Sequence, residues 1–223
     1  VVKLSTERAR VGEQRRERAD AARNRRAILQ AAEELLRLHR PDEVSIEQVA
    51  VAAGVGKGTV FHRFGSRAGL MLALMEERAQ ELSEAIATGP PPLGPGAPPH
   101  ERILAFLDAM VALASRNVGL ITAHEHAVAT QRSAAGPREA NPVYRRWHAH
   151  VSELIAQARP DLDATLVAHL LVGSLHNEPV ARLLLDGESE RLAAGLRSLA
   201  ASLLGPDSAR RSGDRRSEPG GRP

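Results

Sequence analysis

The chain of 223 residues is long enough to bury one large core or two small ones, and with only 2% aromatic residues amid abundant Ala, Leu, Arg and Glu it favours helices over strands. The absence of cysteine excludes a disulfide scaffold, a thiol nucleophile and a cysteine-ligated zinc site within it. The net charge of +3 is unevenly spread: residues 1–68 carry 14 Lys/Arg against 9 Asp/Glu and the remainder 16 against 18, so a basic front end suited to a polyanionic partner precedes a near-neutral body.

Residues 1–20 mix Arg and Glu with few large apolar residues and are predicted to be a disordered basic arm. From about Ala21, Ile28, Ala32, Leu35 and Leu36 recur at helical spacing, giving a first amphipathic helix that ends before Pro41. Ser45 followed by Gln48 is a capping-box pattern and opens a short second helix to Ala53. Gly54 supplies the positive φ of a tight turn, and Lys57 to Phe64 form a third short helix. After Gly65, Ser66 caps a long fourth helix carrying Leu70, Leu74, Ala79, Leu82 and Ile86.

The stretch 89–99, GPPPLGPGAPP, excludes regular structure and is predicted to be a loop. Residues 101–116 and 118–132 are expected to be two further helices. Asn141 followed by Pro142 opens a helix through Trp147 and Val151 that stops before Pro160. Asp161 or Asp163 caps the next, which Pro179 kinks or interrupts, and a last helix follows Gly187. The polar tail 206–223 is predicted to be disordered. No stretch approaches the roughly 20 consecutive apolar residues of a membrane span, and the basic start lacks the apolar run of a secretory signal, so a cytoplasmic chain with no membrane partner is expected.

Residues 45–64, SIEQVAVAAGVGKGTVFHRF, resemble the helix-turn-helix of the TetR family of transcriptional regulators, and the resemblance runs from Arg23 through GSRAGLM to about Glu81. A short helix of this kind enters the major groove with its N-terminal residues towards base edges, while the preceding helix and flanking amides hold phosphates. Lys57 and the backbone at Gly58 stand where an anion meets a helix N-terminus, and Thr59 offers a hydroxyl or methyl to a base. The resemblance implies that Ser45 and Arg67 contact phosphate and that Phe61, His62 and Arg63 lie on the DNA side. Three positions depart from the family: Gly56 replaces a serine-like cap, Phe61 replaces a tyrosine and so lacks a phosphate-binding hydroxyl, and Arg67 replaces a lysine.

The fold thereby expected is all-α, with a three-helix DNA-binding domain over 21–68 and a helical ligand-binding and dimerisation domain over 69–205. The resemblance further implies a homodimer on double-stranded DNA, built through the last two helices with Leu166, Leu170, Leu171, Leu192, Leu196, Leu199 and Leu203 as candidates. It also implies an inducer, of unknown identity, among the fourth to eighth helices, for which Phe106, Met110, His124, Trp147, Val151 and His176 combine apolar walls with a few polar tips. The function expected is that of a repressor released from a palindromic operator by a small molecule. His124 and His126, like His148 and His150, are two apart and point to different helix faces, so neither pair is a metal site, and no cofactor is expected. Phosphate-loop, activated-serine and zinc-helix patterns are missing, so no enzymatic activity is expected.

Overall fold

The computed structural model describes residues 2–123 and 141–205, with side chains from 19 to 120, from 141 to 175 and from 177 to 205. Nine α-helices and no strand occur among the described residues: α1 (Val2–Leu38), α2 (Ile46–Ala52), α3 (Lys57–Phe64), α4 (Arg67–Thr88), α5 (Pro99–Ala123), α6 (Pro142–Ala158), α7 (Ala164–Gly173), α8 (Glu178–Leu185) and α9 (Ser189–Leu204). The all-α expectation holds. The expected tail, 206–223, lies outside the described residues.

Side-chain capping starts most of these helices where the sequence signals them. Ser45 accepts from the Gln48 amide while Gln48 Oε1 accepts from the Ser45 amide, completing the capping box of α2. Ser66 caps α4, Asn141 caps α6 with Pro142 in its first turn, and Asp163 caps α7. Asp161, the other candidate there, pairs with Arg159 instead. The helix expected to meet Pro179 is interrupted before it: a 3-10 turn, Ser174–His176, ends in Asn177, which caps α8 and leaves the proline in the first turn, where its missing N–H costs nothing.

Three expectations are corrected. First, 1–20 was expected to be disordered, yet α1 runs back to Val2. That segment holds no proline and is rich in Arg and Glu, so a helix nucleated beyond Ala21 can propagate backwards through it. Second, the expected break near residue 117 does not exist, and α5 is continuous from Pro99 to Ala123. Asn117 turns inward and its side chain accepts a hydrogen bond from Arg78. Third, Pro99–Leu120 is long and apolar enough by length and composition to cross a membrane. Ile103, Phe106, Leu107, Met110 and Val111 within it are fully or almost fully buried in the chain, so α5 is the central helix of a packed body.

Two cores result. In the head, Ile28, Leu29 and Ala32 of α1 pack with Val49 and Ala50 of α2, Val60 of α3 and Leu70, Met71 and Leu74 of α4. In the body, α5 is flanked by α4, α6, α8 and α9, while α7 packs on α6. One residue crosses the division: Leu120, near the far end of α5, is 1% exposed and belongs to the head core.

Candidate nucleic-acid interface

The N-terminal head holds α3 by its own geometry. Val60 is fully buried and anchors α3 to the head core, so the residues around it on the helix turn outward. Lys57, Gly58, Thr59, His62 and Arg63 are all exposed, and Phe61 is 43% exposed. Gly54, at φ 67°, makes the turn between α2 and α3, and the Val55 amide returns to the Ala50 carbonyl at 3.0 Å. Gly56 caps α3 without a side-chain hydrogen bond, which leaves the first amides of the helix open to an anion.

Ser45, Phe61 and Arg67, remote from one another in sequence, line one cleft of about 290 Å³ between the start of α2, α3 and the start of α4. Ser45 is already engaged in the capping box. Arg67 donates from Nη2 to the Pro41 carbonyl, while its buried Nε has no acceptor among the described residues. Asp42, Glu43 and Glu47 share the cleft, so its rim carries carboxylates as well as a guanidinium.

One feature of this face escaped the sequence reading. Lys57 pairs with Glu47 of α2, and its Nζ sits 5.6 Å from the centre of the Phe61 ring. The hydrogen bond from Lys57 is the main cause that holds the Glu47 carboxyl below its ordinary range. The lysine is thus aligned by a carboxylate and an aromatic face.

The joint between head and body is a second feature the motif does not reveal. Arg78 lies on the apolar stripe of α4, at the fourth-residue spacing of Leu70, Leu74, Leu82 and Ile86, and is only 5% exposed. Its Nε and Nη2 reach Glu33 of α1 at 2.9 and 2.8 Å, and its Nη1 reaches the Arg116 carbonyl at 3.1 Å and Asn117 Oδ1 at 2.8 Å on α5. One guanidinium therefore ties three helices together. Arg25 adds a further link, to Glu77, at 2.5 Å. A lone arginine in a leucine stripe was the available signal, because a buried cation requires partners.

The candidate pocket residues divide. Phe106, Met110, Trp147 and Val151 belong to one buried cluster, with the Phe106 and Trp147 rings edge to face at 6.0 Å. The Trp147 indole donates to Ser83 Oγ at 3.0 Å. His124 and the side chain of His176 lie outside the described residues. A separate groove of about 640 Å³, between α4 and α5, contains none of the candidates and is bordered by Arg78 and Arg116. His148 and His150 do point apart: the His148 ring lies 3.9 Å, centre to centre, from that of His169 of α7 at a 33° tilt, and His150 meets Phe106 of α5.

The candidate dimer leucines divide as well. Leu171, Leu192 and Leu196 are at most 9% exposed and lie within the chain's own core, and Leu203 is half-buried. Leu166 and Leu170, one turn apart on α7, are 55% and 65% exposed, and Leu199 of α9 is 51% exposed.

Residues 28–74 match the family model described as bacterial regulatory proteins, tetR family. Among solved structures, a transcriptional regulator of the TetR/AcrR family from Thermobifida fusca YX-ER1 superposes with a TM-score of 0.54 at 22% identity, over 82% of this chain and 97% of that one. The fatty acid degradation regulator FadR from Bacillus halodurans gives a TM-score of 0.56 at 17% identity, over 83% and 96%. A TetR transcriptional regulator from Streptomyces coelicolor gives 0.52 at 22% identity, over 81% and 97%. These likenesses concern the fold, and no protein of curated function matches the chain by sequence. The matched domain is the one that presents α3, so residues 28–74 form a DNA-binding domain like that of bacterial regulatory proteins of the tetR family, within a helical fold shared with these solved structures.

Proposed function

We propose that the chain is a homodimeric, sequence-specific repressor that a small molecule releases from a palindromic operator. The observation that carries this reading is the outward row Lys57, Thr59, His62 and Arg63 on a helix anchored by Val60. Thr59 and His62 read base edges, Lys57, Arg63 and the amides at Gly58 hold phosphates, and Ser45, Phe61 and Arg67 flank the backbone. A single eight-residue helix reads few base pairs, so affinity requires two heads about one DNA turn apart, and Leu166, Leu170 and Leu199 supply the exposed apolar surface for pairing.

Release needs a ligand that binds the free state better than the DNA-bound one. The Arg78 junction and Leu120 support such coupling, since a shift of α5 against α4 reaches the head through both. A role on operator DNA places the protein in the cytoplasm. Selection of bound duplexes from a random pool at fixed, near-physiological salt tests the reading. An enriched inverted repeat supports a dimeric specific regulator; a pool that stays random overturns it.

A further inference from the structure

Three buried side-chain polar atoms lack a hydrogen-bond partner among the described residues, and two of them, Arg102 Nε and His150 Nε2, lie in one neighbourhood: the Arg102 charge acts on the His150 ring, and Phe106, one turn along α5 from Arg102, meets that ring. Arg102, in the first turns of α5, donates from Nη2 to the Ile86 carbonyl at a long 3.3 Å and forms no ion pair among the described residues. His150, on α6, presents its ring to the edge of Phe106 at 5.8 Å. Burial, and then the Arg102 charge, push its pKa down to about 4, so the ring is neutral at neutral pH and leaves the guanidinium charge uncompensated.

Arg102 Nε–H is always a donor, and His150 Nε2 is a donor in one of its two tautomers. Two adjacent donors beside an unbalanced positive charge call for an anionic acceptor with several lone pairs, and leaving them open is costly. The surroundings are otherwise apolar: Phe106 is completely buried, and Trp147 stands against it one turn before His150 on α6.

We infer that Arg102 and His150 receive the carboxylate of an amphipathic small molecule whose apolar body lies against Phe106 and Trp147. This rests on the proposed ligand-released repressor and names the chemical class of its effector. Because both polar atoms are buried, entry requires α5 and α6 to part locally, and α5 is the helix whose other end holds the head through Asn117 and Leu120. Occupancy and the position of the head are thereby linked.

Trp147 is the chain's single tryptophan, so its fluorescence reports on this site directly. The full chain is titrated with octanoate and 4-phenylbutyrate and with the matched alcohols, 1-octanol and 4-phenylbutanol, for wild type and Arg102→Gln. The expected result is saturable binding of at least one carboxylate, about tenfold or more tighter than its alcohol, and a comparable loss in Arg102→Gln. Equal binding of acid and alcohol, or no saturable response to either acid, overturns the inference, and this comparison on wild type needs no variant to fold. Operator affinity in the same samples separates the two claims. Carboxylate binding that leaves operator affinity unchanged upholds the site and removes ligand release; operator release by another molecule, with no carboxylate bound, removes the site and keeps ligand release.

Discussion

Arg78 of α4 grips Glu33 of α1 with two guanidinium nitrogens, at 2.9 and 2.8 Å, while its side chain is 6% and that of Glu33 21% exposed. The asymmetry in burial sets the order of the two deletions. Glu33→Ala strands a cation deep in the joint and is expected to cost about 3 kcal/mol, whereas Arg78→Met leaves a carboxylate within reach of water and is expected to cost about half that. Urea unfolding midpoints of the two variants check the order; equal or reversed costs contradict it.

Glu47 is expected to restrain Lys57. Glu47→Gln frees the lysine and removes a negative charge from the DNA face, so affinity for any duplex rises and the dependence on salt steepens by up to about one counterion. The same pair predicts a pH effect. The Glu47 carboxyl is held below its ordinary value near 4.5, so its stabilising contribution is present above that value and is lost as pH falls through the folded-state one. Acid unfolding curves of wild type and Glu47→Gln should converge at low pH and differ above it.

His150 gives a dependence of the same sign in a higher window. Its folded pKa of about 4 lies below the ordinary 6.5, so between these values the unfolded chain takes up a proton that the folded chain refuses, and stability falls as pH drops through that window. Replacing the ring with one that cannot titrate, His150→Phe, should flatten the thermal midpoint across the window. An unchanged slope contradicts the prediction.

At the pairing surface, Leu166→Glu with Leu170→Glu should yield a folded monomer, because both side chains are already exposed in the single chain. Leu196→Ala, by contrast, empties the body core and should cost roughly 2–5 kcal/mol of stability. Sedimentation and unfolding, measured on both, separate the two roles. A dimer that survives the double substitution contradicts the assignment of α7.

The parts of the fold that local chemistry determines were legible in the sequence. Ser45, Ser66, Asn141 and Asp163 each cap the helix that follows them, since a cap needs only residues within one turn. The short third helix, Lys57–Phe64, followed from the same kind of local pattern, though which of its residues turn inward did not. What stayed hidden depends on partners distant in the chain. Nothing near Lys57 announces Glu47 across the turn, and nothing near Leu120 announces a head core built from residues 28–74. Leucine spacing alone could not tell the buried Leu171 from the exposed Leu170, because adjacent residues on α7 face α6 and solvent respectively. Arg78 and His150 were visible as polar residues on apolar stripes, though not what they bind.

The most direct measurement is the affinity of the wild-type chain, Thr59→Ala and His62→Ala for the enriched inverted repeat and for a scrambled duplex at one salt concentration. If α3 reads bases, each substitution weakens binding to the repeat by roughly tenfold or more and leaves the scrambled duplex nearly unaffected. Equal losses on both duplexes, or no loss on either, would contradict sequence reading by this helix.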